Sequence, residues 1–313
     1  MPKIFRSLEV QSLNISNTDS VLTQEVPKTV YWGLLLDLNV QHTNSSGTIT
    51  VNADTFGKYI DLQLSIDGDL IPVRINVRDL YYINKYLFKQ TPNTSFFTTA
   101  SSSGTSYMRL ILPFAILGGE VFEDGLLDTR GAGSVSLMMT TKSATTFGTN
   151  VASIDSGSVA YVQTLEYANV PVLTNQFVRT EYAFVEHALT ATGVVRYSLP
   201  YGGDQQYRGL LVQTETSSAL SNSVLNTMRV TSRSFDYLNS RVDFIQQKNA
   251  LETGQSDTGK YWIDFTSGSG HLERQKMTER LDARALTELF LEVDSAVSSG
   301  TVRVITVKEL YGG

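Results

Sequence analysis

Side chains able to do chemistry are sparse in this sequence. It has three histidines, His42, His187 and His271, and none stands at metal-ligand spacing from another. His42 and His271 fall in polar stretches and read as solvated. Cysteine is absent, which removes thiolate metal sites, Cys nucleophiles, iron–sulfur clusters and disulfides together. No Gly-x-Ser-x-Gly elbow or Walker loop occurs. Gly131-Ala132-Gly133 lacks the Lys and the strand-to-helix setting of a phosphate cradle, so it reads as a glycine turn.

Two aspartates demand closer inspection. Asp155-Ser156-Gly157 and Asp257-Thr258-Gly259 match the Asp-Thr/Ser-Gly signature of proteases whose paired carboxylates share a proton. That chemistry wants each Asp at the end of a buried apolar strand. Asp257 instead follows Gly254-Gln255-Ser256, and Asp155 follows the mixed stretch Val151–Ile154. We expect the two in separate loops and no protease activity. Asp67 and Asp69 flank Gly68; two carboxylates fall short of the roughly six to eight oxygens that calcium takes, so a hairpin turn is expected. No catalytic, cofactor-binding or metal residue is assigned, and no enzyme activity or cofactor is expected.

The composition points elsewhere. The chain has 313 residues, 41% hydrophobic and 18% charged, too apolar and too weakly charged for a disordered chain. It is rich in Ser, Thr, Gly, Val, Leu and Tyr, which suits strands and polar turns. Net charge is −6. Lys and Arg against Asp and Glu number 11 and 15 over residues 1–167, and 14 and 16 over 168–313. Neither half carries the clustered cations that phosphate neutralisation requires, so nucleic-acid binding is not expected. The longest apolar run, Leu110 to Leu117, is interrupted by Pro113 and is far shorter than the roughly 20 residues of a membrane span. Met1-Pro2-Lys3-Ile4-Phe5-Arg6 lacks a signal peptide's apolar region, so a soluble chain not exported by the general route is expected.

Strand signals recur along the whole chain, among them Val30–Val40, Tyr59–Ile66, Leu70–Val77, Met108–Phe114, Val135–Met139, Val159–Tyr167, Tyr207–Gln213, Tyr261–Phe265 and Val302–Val307. Polar connectors, Thr91–Ser106, Thr141–Ser158, Thr214–Asn226 and Glu252–Lys260, read as long loops. Helices are expected at Asp79–Lys89 and Asp236–Leu251 from the spacing of Leu80, Ile83 and Leu87 and of Leu238, Val242 and Ile245.

Four short matches run in the same order through both halves. Tyr59-x-x-Leu62 pairs with Tyr207-x-x-Leu210, and Tyr82-Ile83-Asn84 with Tyr237-Leu238-Asn239. Leu127-Asp128-Thr129-Arg130 pairs with Leu281-Asp282-Ala283-Arg284, and Gly157-Ser158-Val159 with Gly300-Thr301-Val302. The third match also lays Val135, Leu137 and Met139 over Leu289, Leu291 and Val293. The expected organisation is a first repeat over 1–167, a linker at 168–175 containing Pro171, and a second repeat over 176–313. Each repeat holds an even set of short antiparallel strands, as a jelly roll does. The expected fold is all-β: two tandem eight-stranded antiparallel jelly-roll barrels with short helices after the middle strands. Tyr81, Tyr82, Tyr86, Phe88, Tyr237 and Phe244 fall on more than one face of the two helical segments. They are expected at a subunit interface, where aromatics are favoured.

On the duplicated Tyr-Ile/Leu-Asn and Leu-Asp-Thr/Ala-Arg strings and the linker at Pro171, the chain resembles the double jelly-roll major capsid proteins of tailless, membrane-containing icosahedral viruses. In size it resembles those of small membrane-containing bacteriophages such as the lipid-containing phage of Flavobacterium. The resemblance implies pseudo-hexagonal homotrimers that tile an icosahedral shell around an internal membrane and genome, assembled in the host cytoplasm. The implied partners are the chain itself, neighbouring capsomers, penton or minor capsid proteins and the viral inner membrane. Lys3, Ile4, Phe5 and Arg6 are then expected to face lipid, the cations toward anionic headgroups and the apolar pair at the boundary. The competing expectation is a two-domain β-sandwich module for carbohydrate binding or adhesion.

Overall fold

The computed structural model describes residues 4–45, 47–98, 103–115, 126–169, 177–233, 235–265 and 280–312. Those up to 169 form one compact unit and those from 177 a second. In the first unit the main strands are β1 (Ile4–Asn14), β2 (Val21–Glu25), β3 (Val30–Asn44), β4 (Ile60–Ile66), β5 (Leu70–Asn76), β6 (Ser103–Pro113), β7 (Val135–Thr141) and β8 (Val159–Ala168). They pair antiparallel in two sets, β1–β8–β3–β6 and β2–β7–β4–β5. In the second unit they are β9 (Phe177–Leu189), β10 (Gly193–Ser198), β11 (Gln205–Thr216), β12 (Leu225–Ser232), β13 (Phe235–Arg241), β14 (Lys260–Asp264), β15 (Phe290–Ser295) and β16 (Gly300–Gly312). The pairing repeats as β9–β16–β11–β14 and β10–β15–β12–β13. Both are the strand order of a jelly roll. Inward positions alternate, as in β7, where Val135, Leu137 and Met139 are buried and the residues between them are half-exposed.

Among the described residues four helices sit between the strands: α1 (Ala53–Tyr59), α2 (Val77–Phe88), α3 (Ala144–Phe147) and α4 (Val242–Thr253). α2 follows β5 as expected. The segment expected to be helical from Asp236 is instead strand as far as Arg241. There Leu238 pairs opposite Val230 of β12, and the ladder takes backbone groups that a helix would have used internally. Tyr237 therefore lies on a strand and Tyr82 on a helix, so that match joins unlike places. The match of Tyr59 with Tyr207 fails too, since Tyr59 ends α1 and Tyr207 lies in β11. The Gly157–Val159 match is one residue out of register: Val159 faces Asn39 whereas Thr301 faces Glu215. The linker expected at 168–175 lies mostly outside the described residues.

The first unit has one aromatic cluster with no counterpart among the described residues of the second. Phe147 of α3 lies 5.0 Å from Phe56 and 5.5 Å from Tyr59, both in α1, and Phe56 reaches Phe96 at 6.1 Å. His42 of β3 packs between Phe97 at 5.5 Å and Phe147 at 5.4 Å. His42 is thus fully buried and not solvated as expected, because β3 runs on through its polar end, paired with β6 as far as Thr43.

Candidate functional site

The two units share a frame at the end where β3 and β11 begin. Each repeats Tyr-x-Gly-Leu-Leu: Tyr31, Gly33, Leu34 and Leu35 in β3, and Tyr207, Gly209, Leu210 and Leu211 in β11. Both tyrosines are fully buried. The Tyr31 hydroxyl donates to the Pro27 carbonyl, and the Tyr207 hydroxyl to the Pro200 carbonyl at 2.6 Å. Burial pushes both phenols far above their ordinary pKa. The next residue is bulged in both ladders. The bulged carbonyl then turns to the strand beyond: Trp32 O accepts from Phe114 N at 2.9 Å and Arg208 O from Phe265 N at 3.0 Å. Glycine follows because the neighbouring chain comes close. A Cβ at Gly33 would stand 3.0 Å from the Leu112 carbonyl, and one at Gly209 only 2.5 Å from the Trp262 ring.

Opposite each tyrosine lies the Leu-Asp-x-Arg turn, with Leu127 facing Tyr31 and Leu281 facing Tyr207. The matched pairs have the same geometry. Arg130 donates from its backbone N (3.1 Å), Nε (2.9 Å) and Nη2 (2.6 Å) to Asp128. Arg284 does so to Asp282 at 3.0, 2.9 and 2.7 Å. The Arg284 hydrogen bond holds the Asp282 carboxyl below its ordinary pKa.

A third repeated element comes from the helices. Asn84 of α2 accepts from Ile111 N at 2.8 Å and donates to Ile111 O at 2.6 Å. Asn249 of α4 accepts from Trp262 N at 2.8 Å and donates to Trp262 O at 2.9 Å. One amide thereby satisfies both backbone groups of a strand residue that the ladder leaves free.

Cross-strand ion pairs complete the frame. Arg6 of β1 opposes Glu166 of β8 and pairs with it, and the Thr29 hydroxyl donates to the same carboxylate. Burial works to raise the Glu166 pKa, but the bonds from Arg6 and Thr29 and the charges of Arg6 and Arg130 outweigh it and hold it low. Arg6, Thr29, Arg130, Glu166, Tyr167 and Asn169 line a small cleft of about 190 Å³. Its charges satisfy one another, since Arg6 holds Glu166 and Arg130 holds Asp128. The arrangement braces the scaffold. Among the described residues no three His, Asp or Glu side chains gather as a metal site would need. Asp155 accepts from Thr43 Oγ1 at 3.0 Å in the first unit, and Asp257 lies in the loop before β14 in the second.

The residues singled out for interfaces are not one group. Tyr81, Tyr82 and Tyr86 are at most 7% exposed, so this chain already covers the rings expected to await a partner. Phe88 and Tyr237 are half-buried, and Phe244 is 56% exposed beneath Arg241. At the N-terminus Lys3 lies outside the described residues, as does the Ile4 side chain. Phe5 is 55% exposed but rests on Tyr167 at 4.6 Å, and Arg6 is committed to Glu166. The Asn84–Asn249 equivalence went unread because the partner of each is backbone. The Tyr-x-Gly-Leu-Leu string, 176 positions apart, was the visible signal for the frame.

No protein-family model matches the sequence, and no curated protein does. Among solved structures, a chain of the Sulfolobus turreted icosahedral virus superposes with a TM-score of 0.78 at 12% identity, covering 99% of this chain and 91% of that one. The crystal structure of the STIV MCP gives 0.74 at 12% identity, over 99% and 97%. The major capsid protein P2 from bacteriophage PM2 gives 0.63 at 10% identity, over 97% and 98%. The chain has the fold of these viral capsid proteins, the double jelly roll. At such identities the likeness is one of fold. The repeated frame marks the same end of each barrel.

Proposed function

We propose that this chain is the major capsid protein of an icosahedral virus and works as a homotrimer of pseudo-hexagonal outline, assembled in the host cytoplasm into the virion shell. One observation carries this reading: two complete jelly rolls in one chain superpose over nearly their whole length on viral major capsid chains. In this reading residues 1–167 and 176–313 are duplicated barrels joined by 168–175. Phe244 and the half-buried Tyr237 and Phe88 contribute to contacts between copies, and Lys3 with the exposed ring of Phe5 faces the inner membrane. Light scattering on purified protein tests it. A species of about three times 34.6 kDa that forms shells in negative stain is expected. A stable monomer that never assembles at micromolar concentration would remove the proposal.

A further inference from the structure

The two units share strand order, the bulged Tyr-x-Gly-Leu-Leu start and the Leu-Asp-x-Arg turn. The first strand of either unit therefore meets nearly the same edge in its own barrel and in the other. The rung beside the shared tyrosine differs in sign. Tyr31 neighbours Glu166, which faces Arg6 of β1. Tyr207 neighbours Lys308, which faces Glu181 of β9, with Nζ and Oε1 2.9 Å apart. The third member is equivalent in both: Thr29 donates to Glu166, and Lys308 donates to Gln205 at 3.3 Å.

We propose that this inverted polarity is a pairing code that keeps β1 and β9 each in its own barrel, during folding and when copies of the chain meet. If β1 lay against β16 in the native register, Arg6 would face Lys308. If β9 lay against β8, Glu181 would face Glu166. The Glu166 and Glu181 side chains are only 11% and 20% exposed, so water would screen their contact poorly; Lys308 is 7% exposed but Arg6 is 58% exposed, so that contact would be screened more. Like charges directly opposite in a ladder are destabilising, and repulsion of a wrong partner is a recognised source of specificity. The adjacent rung acts in the same sense. Phe5 packs at a tilt against Tyr167, whereas Thr180 faces Glu309, a fully buried carboxylate. Exchange would set the Phe5 ring beside that carboxylate. Bridging the first and last strands does not itself require the inversion, since an ion pair of either polarity would do that, although Thr29 and Arg130 favour an acid at 166. The need arises because similar barrels in one chain are prone to misassembly and strand exchange.

The test is a pair swap that keeps the ion pair between first and last strands but reverses its sign in one unit. It also gives up the Thr29 bond to Glu166 and brings a cation near Arg130, so a fourfold variant is its control. Arg6→Glu with Glu166→Arg gives both barrels an acid on the first strand and a cation on the last. Refolding by dilution from denaturant, at several protein concentrations, should recover severalfold less soluble protein than the parent, with a loss that steepens with concentration. Adding Glu181→Lys and Lys308→Glu restores the inversion and should restore recovery. The proposal is overturned if the first swap refolds as well as the parent. It is equally overturned if the fourfold variant recovers no better than the twofold one, because the loss would then belong to the swap itself. Neither outcome depends on the capsid reading.

Discussion

In the first unit α2 starts with a capping box between Asn76 and Asp79 and buries ten of its twelve residues. Its counterpart α4 starts at Arg241 with no side-chain cap, buries Val242, Ile245 and Asn249, and leaves Leu251 80% exposed. Both helices nevertheless end in a left-handed residue, Lys89 or Gly254, and place an asparagine on the same strand position. The fold tolerates a poorly buried helix at this place while keeping its clamp. What the two units hold in common are side chains that satisfy backbone groups: the asparagines, the tyrosine-to-proline bonds and the Asp–Arg turns. What they vary is the surface around those bonds.

The largest effect should come from the clamp. Asn249→Ala strands the backbone N–H and C=O of a buried strand residue, and each lost partner costs about 1–3 kcal/mol. Asn84→Ala should cost a similar amount despite the much deeper burial of α2, as urea unfolding of each variant will show. If only the α2 variant were destabilised, the equivalence of the helices would be lost. Tyr31→Phe and Tyr207→Phe remove one hydroxyl each and should cost about 1 kcal/mol apiece, read from the same unfolding curves; unequal values would show that one bond is dispensable.

The smallest effect separates the units by pH. Burial lowers the pKa of His42, with the charge of Asp155 opposing it, and burial also lowers that of His187, which is half-exposed and stacked on Tyr197 at 3.9 Å. A histidine that binds its proton less readily when folded contributes full stability above its unfolded pKa of about 6.5 and loses it as pH falls toward the folded value. The slope reaches at most about 1.4 kcal/mol per pH unit. His42→Phe should flatten stability between pH 7.5 and 5 more than His187→Phe does. Imidazole titration by NMR gives the direct check, and an ordinary pKa for His42 would contradict its burial.

The sequence is legible where the bonds are local. The Leu-Asp-x-Arg turn closes within three residues, so matching strings imply matching structure, and the duplication was visible there. Tyr207 is matched with Tyr59 in place of Tyr31 because a competing Tyr-x-x-Leu string begins at Tyr59, and only the partner strands distinguish the two. The strand character of β1 and β2 escaped because neither has clean apolar alternation; Val21–Glu25 has no fully buried residue. His42 was misplaced because Gln41-His42-Thr43-Asn44 is polar, and only pairing with β6 and packing against Phe97 and Phe147 keep it in the sheet.

The numbering offset between equivalent residues falls from 176 at Tyr31 and Tyr207 to 165 at Asn84 and Asn249 and to 151 at Phe114 and Phe265, is 154 at Leu127 and Leu281, and falls again to 142 at Glu166 and Lys308. The first unit therefore carries three insertions. They hold α1, the Phe96–Phe97 stretch and α3, whose rings meet one another and His42. In terms of chain entropy, three loops that would each pay separately for closure are fastened at shared points, with Phe147 touching α1 and His42 at once. Ordering one loop prepares the site for the others, so they should freeze and melt together.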